Sequence, residues 1–149
     1  MTSAKIVSFP QQDLDDLPLI PEGEYRLKLV EHETSICFGP RSPRLVLTFT
    51  VCDMGQHFGT RLQRFYNVAR LKSKAGKKGQ FVAKLHGDLM IEICTLLNRK
   101  VRPDRVPLEP LYNSVLVGRI QTVKHNSQQK DLPEVLHYSK VAALLKVEQ

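Results

Sequence analysis

A chain of 149 residues with 42% hydrophobic and 25% charged side chains is long enough for one well-cored domain, and its composition excludes intrinsic disorder as the main state. No run approaches the roughly 20 apolar residues that a membrane-spanning helix needs, and the first residues lack the pattern of a secretory signal. The net charge of +7 points instead to a polyanionic partner.

The elements follow in chain order. Residues 1–20 read as a flexible acidic leader, with Asp13, Asp15 and Asp16 set among Pro10 and Pro18. Residues 21–149 then form a single domain. Tyr25, Leu27 and Leu29 alternate with Arg26 and Lys28, the period of a half-buried strand. A loop with Phe38-Gly39-Pro40-Arg41 at its tip leads to a second strand, Arg44 to Val51, rich in β-branched and aromatic residues. A third strand spans Thr60 to Val68. The run Lys72 to Gly79 reads as a flexible basic loop. Helical spacing of Phe81, Leu85, Leu89, Ile93 and Leu96 predicts a helix from Phe81 to Leu97, with Asn98 as its stop. Arg99 to Pro110 is a proline-rich connector. Ser114 to Lys124 is a fourth strand, and Tyr138 to Val147 fits either a helical turn or a closing strand.

That order predicts a mainly β protein with one helix, an OB-fold-like five-stranded barrel in the sequence strand-strand-strand-helix-strand-strand. A small mixed sheet flanked by a helix is the alternative.

Charge is distributed unevenly. Thr34 to Gly87 holds ten Lys or Arg residues against one acid, Asp53, a net of +9 that exceeds the whole protein's excess. A positive stripe gains affinity for phosphates by releasing condensed counterions. Aromatic faces among such cations stack bases. The candidate nucleic-acid-binding residues are therefore Phe38, Arg41 and Arg44, then Arg61, Arg64, Phe65, Tyr66 and Arg70, then Lys72, Lys74, Lys77 and Lys78. Strand parity groups Tyr66 with Leu62 and Val68 and turns Phe65 outward beside Arg61 and Gln63. Arg64 breaks that parity, and a bulge would reverse it. Phe49 and Phe58 are expected in the core.

Catalytic signatures are missing from the sequence. It has no phosphate-binding glycine loop, no GxSxG and no HExxH. The five histidines show no ligand spacing with one another or with Cys37, Cys52 and Cys94. The expectation is a non-enzyme without metal or cofactor, its thiols reduced in the cytoplasm.

The run Ile20-Pro21-Glu22-Gly23-Glu24-Tyr25, the strand Leu45 to Val51, Gly59 and Arg64-Phe65-Tyr66-Asn67-Val68 resemble a family of small proteins encoded by bacteriophages, plasmids and integrated mobile elements. These are OB-fold single-stranded-DNA-binding proteins, and the resemblance covers roughly residues 20 to 147. It implies a role beside replication, recombination or transfer of a mobile element, and draws attention to Arg64, Tyr66 and Asn67. Many single-strand binders end in an acidic tip, whereas this chain ends Leu145-Lys146-Val147-Glu148-Gln149, so recruitment of partners through such a tip is not expected.

The function expected is therefore non-catalytic binding of single-stranded nucleic acid, DNA in preference to RNA. The alternative is a protein-interaction adaptor or inhibitor that grips an acidic partner. A homo-oligomer paired through a strand edge is compatible with either.

Overall fold

The structure is a computed structural model that describes residues 18–36, 43–125 and 130–148. The strands that alternation marks are present: β1 (Gly23–Ile36), β2 (Pro43–Val51) and β3 (Arg61–Leu71) form an antiparallel meander. β1 is long because it serves two neighbours on its other edge. Its first half pairs with β6 (Val115–Val123), and Glu33 and Thr34 pair with the two-residue β4 (Gly76–Lys77). A register shift between Leu29 and Glu31 bends β1 between those halves. β7 (Tyr138–Glu148) pairs with β6, and β5 (Phe81–Ala83) pairs with the end of β3. The result is a seven-stranded antiparallel sheet in the order β5-β3-β2-β1-β6-β7, with β4 beside β1.

One face of the sheet is the core. Leu45, Leu47, Phe49 and Val51 of β2 meet Leu27 and Leu29 of β1 and Leu62, Tyr66 and Val68 of β3. The sheet curls until β3 and β7 pack together, and the helix α1 (Asp88–Leu97) lies against both. Leu89, Met90, Ile93 and Leu96 form its buried face, and Asn98 ends it in the left-handed conformation that a helix stop favours.

No ladder of backbone hydrogen bonds joins β3 to β7. A side chain bridges them instead. Glu92 of α1 accepts from the Leu144 amide of β7 at 2.9 Å and from the Tyr66 hydroxyl of β3 at 2.6 Å, and pairs with the Arg64 guanidinium. Arg64 lies over the Tyr66 ring, 4.3 Å from its centroid, and donates to the Phe65 carbonyl at 3.2 Å. Arg64 and Tyr66 are only 9% and 2% exposed. Burial opposes the charge on Arg64, but its bonds to Glu92 and Tyr66 outweigh that and hold its pKa above the ordinary value. Burial and the Glu92 charge push the Tyr66 phenol far up. Both stay protonated.

Several expectations change. The helix begins at Asp88 rather than Phe81, and a separate strand, β5, precedes it. Phe81, Val82 and Ala83 are all buried, so their spacing carried no information about one face, while Leu85, read as part of the apolar stripe, is 61% exposed. The ambiguous last element is a strand. A four-residue helix, α2 (Glu109–Tyr112), lies at the end of the expected connector. The run Lys72 to Gly79 is anchored: a Cβ on Gly79 would lie 2.0 Å from the Thr34 hydroxyl of β1, so only glycine lets the turn sit this close. Pro18, Leu19 and Ile20, the described end of the expected leader, run beside β7. Ser139 donates its backbone amide to the Pro18 carbonyl, while its hydroxyl bonds both the amide and the carbonyl of buried Ile20. Asp13, Asp15 and Asp16 lie outside the described residues. Among the described residues, no helix is long and apolar enough to cross a membrane.

Breaking the buried pair leaves an uncompensated charge and an unsatisfied strand amide. Glu92→Ala is expected to lower unfolding stability by about 3–5 kcal/mol, read from the midpoint of a urea titration. Ile91→Ala, on the exposed side of the same helix, should leave that midpoint nearly unchanged.

Candidate nucleic-acid interface

The register of the meander determines what lies on the outer face. β2 places Arg44, Val46, Thr48 and Thr50 opposite the inward Leu45, Leu47 and Phe49. Direct cross-strand partners line up in rows: Lys77 of β4, Glu33 of β1, Val46 of β2 and Phe65 of β3 form one. Ser35, Arg44 and Asn67 form the next, and Glu31, Thr48 and Gln63 the one on the other side. Neighbouring strands are about 4.8 Å apart, so the row from Phe65 to Lys77 spans about 14 Å.

Phe65 is the half-exposed aromatic at the end of its row, and the Arg44 guanidinium sits 5.6 Å from its ring centroid. A cation over an aromatic face preorients both groups. Arg61 lies farther along the same face.

Arg64 and Tyr66 are not on this face. Although they were counted among the candidates, both belong to the buried network with Glu92, because Leu62, Arg64, Tyr66 and Val68 all point inward. Parity assigned the two aromatics as the structure does, and Arg64 turns inward without a bulge because Glu92 and Tyr66 receive its charge. Phe38 and Arg41 lie outside the described residues, as does Cys37. Arg70, Lys72, Lys74, Lys77 and Lys78 are exposed along the end of β3, the following turn and β4. Lys72 donates to the Asp104 carbonyl at 2.7 Å.

The structure also adds acids that block-by-block counting separated from these cations. Glu31 lies 2.9 Å from Lys77 and 3.9 Å from Arg61. The hydrogen bond and charge of Lys77 hold the Glu31 carboxyl below its usual range. Alternate positions of β1 put Glu31 and Glu33 on the outer face, a placement legible only once β1 is known to run through to Ile36. Phe58, expected in the core, is 59% exposed in the turn between β2 and β3, beside exposed Met54.

Where the bend in β1 leaves a gap between β4 and α2, an open pocket of about 510 Å³ is lined by Val30, Glu31, His32, Lys77, Lys78, Leu108, Glu109 and Tyr112. The His32 Nδ1 and the Tyr112 hydroxyl share a 2.6 Å hydrogen bond, and the two rings meet edge to face at 5.7 Å. Lys28 donates to the Tyr112 carbonyl. Lys78 sits in the left-handed region, φ 55°, its amide bonded to the His32 carbonyl at 3.0 Å. Among the described residues, no three His, Cys, Asp or Glu side chains group as metal ligands would.

Compared with protein-family models, with curated proteins and with solved structures, the chain matches none of them.

Burial, and then the nearby Lys78 charge, lower the His32 pKa from 6.5. A folded pKa below the unfolded one means stability that is complete above about pH 6.5 and lost as pH falls through the folded value. The His32 ring resonances should therefore titrate with a midpoint below 6.5. Relative to His32→Gln, the wild-type protein should lose stability as pH falls below 6.5.

Proposed function

We propose that this chain is a non-catalytic single-stranded-DNA-binding protein that uses the outer face of β1, β2 and β3. The observation that carries the reading is the Arg44–Phe65 pair, an aromatic platform with a cation placed over it on a strand flanked by exposed Arg and Lys residues. Stacking is tolerant of sequence because every base has a π-face, and the cations follow the phosphates. The site proposed is Arg44, Arg61, Phe65, Arg70, Lys72, Lys74, Lys77 and Lys78.

The topology supports an OB-like frame. Three meander strands are followed by a helix and then a strand pair, and the first strand pairs with both the second and the penultimate one. On this reading β4 and β5 are additions to a five-stranded barrel, and β2 and β3 provide the face on which such barrels bind oligonucleotides. The likeness to proteins of phages, plasmids and integrated elements extends the proposal to replication or recombination of a mobile element, in the cytoplasm.

Glu31 and Glu33, set among the cations, favour a second reading, in which the face grips a protein partner through mixed charge. A mixed face weakens the long-range field on a uniformly anionic strand but complements a patterned protein surface.

Fluorescence anisotropy with single- and double-stranded oligonucleotides at two salt concentrations separates these readings. Phe65→Ala should weaken single-strand binding by about 1–3 kcal/mol at either salt concentration. Lys74→Ala should lower the affinity less at high salt than at low, flattening the salt slope. Absence of binding to any oligonucleotide at low salt overturns the proposal, and preference for duplex overturns the single-strand assignment.

A further inference from the structure

The pocket beside the bend of β1 stands at the Lys77 end of the row that begins at Phe65. Its walls are of three kinds. Val30 and Leu108 are apolar, and His32 and Tyr112 present aromatic rings held edge to face by their hydrogen bond. Lys77 and Lys78 stand together as cations on an anchored turn. Gly79 fits against Thr34 without a Cβ, Lys78 holds a left-handed backbone, and its amide is tied to His32. Glu109, exposed at the start of α2, lines the opposite side as a hydrogen-bond acceptor.

A non-glycine residue in the left-handed region is held there only where its surroundings dictate it, and such positions gather at ligand sites. The chemistry of the walls matches one nucleotide: apolar and aromatic groups for the base, Lys78 for its phosphate, and a carboxylate for an exocyclic amino group. Lys77 is already paired with Glu31, which leaves Glu109 as the carboxylate that reads the base. A carboxylate facing position 4 of the base accepts from the amino group of cytosine, whereas in thymine it meets a carbonyl oxygen, a second acceptor.

We propose that this pocket is a base-selective subsite that takes an unstacked base bearing an exocyclic amino group, cytosine above thymine. The inference rests on the single-strand reading above and adds to it a residue that discriminates between bases. The pocket lies about 14 Å from Phe65 along that row. That span corresponds to a few nucleotides, so one strand can engage both places.

Two measurements on the full chain test it. In the first, deoxycytidine monophosphate at millimolar concentration is titrated while the His32 ring resonances are followed. They should shift with cytidine nucleotide, shift much less with thymidine monophosphate, and lose the difference in Glu109→Ala. In the second, anisotropy compares oligo(dC) with oligo(dT). The wild-type protein should favour oligo(dC) by about tenfold, Glu109→Ala should abolish that ratio, and Phe65→Ala should weaken both oligonucleotides and keep the ratio. Equal responses to the two nucleotides, or a ratio unaltered by Glu109→Ala, overturns the subsite even if both oligonucleotides bind. Nucleotide-specific shifts at His32 with no binding of either oligonucleotide retain the pocket and overturn the single-strand function.

Discussion

The seam between β3 and β7 depends on the carboxylate of Glu92. It bonds to both sides of the seam, and it does so from a helix that belongs to neither strand. A barrel closed by backbone ladders gains its rigidity from many equivalent bonds. Here much of that duty falls on a few side chains, and each can serve only while the others hold. Arg64 is tolerable in the core because Glu92 is there, and Glu92 is tolerable because it receives a guanidinium, a phenol and a backbone amide together. Such a network is worth little against an apolar substitute of the same shape, but it is costly to break in part. It also orients β3. With Arg64 and Tyr66 drawn inward, Phe65 between them is turned out, and so its outward position is a consequence of the core.

Much of the frame was legible in the sequence. The alternation in Leu45, Leu47, Phe49 and Val51 marks the core face, although Val46 and Thr48 on the other face are covered as well. The alternation of Leu62, Tyr66 and Val68 likewise assigned the two adjacent aromatics to their sides. Where a short run is apolar and buried on both faces, periodicity carries nothing. That is why Phe81-Val82-Ala83 merged with the helix that follows, although Gly87 separates Leu85 from the true apolar stripe.

The candidate site was legible only in part, and the reason is register. Counting charge along the chain groups residues by sequence, whereas a sheet groups them by pairing. Glu33 and Lys77 are direct partners across β1 and β4, and no composition window brings them together. Arg64 carries the same formal charge as Arg61 and contributes nothing to the outer face, since it spends that charge inside. The pocket at the bend of β1 was out of reach for a similar reason. His32, Lys78 and the pair Glu109 and Tyr112 come from three separate stretches, and the bulge in β1 and the short α2 helix bring them to one place.

The anchoring of the segment before β1 bears on how this sheet behaves in company. A curled sheet that stops short of a full ladder retains strand edges, and unpaired edges recruit other chains into aggregates. At the start of β7 that edge is occupied: the Ser139 amide is taken by the Pro18 carbonyl, and its hydroxyl grips the backbone on both sides of Ile20. A few residues ahead of the first strand thus act as a selvedge, finishing a margin that would otherwise fray into its neighbours.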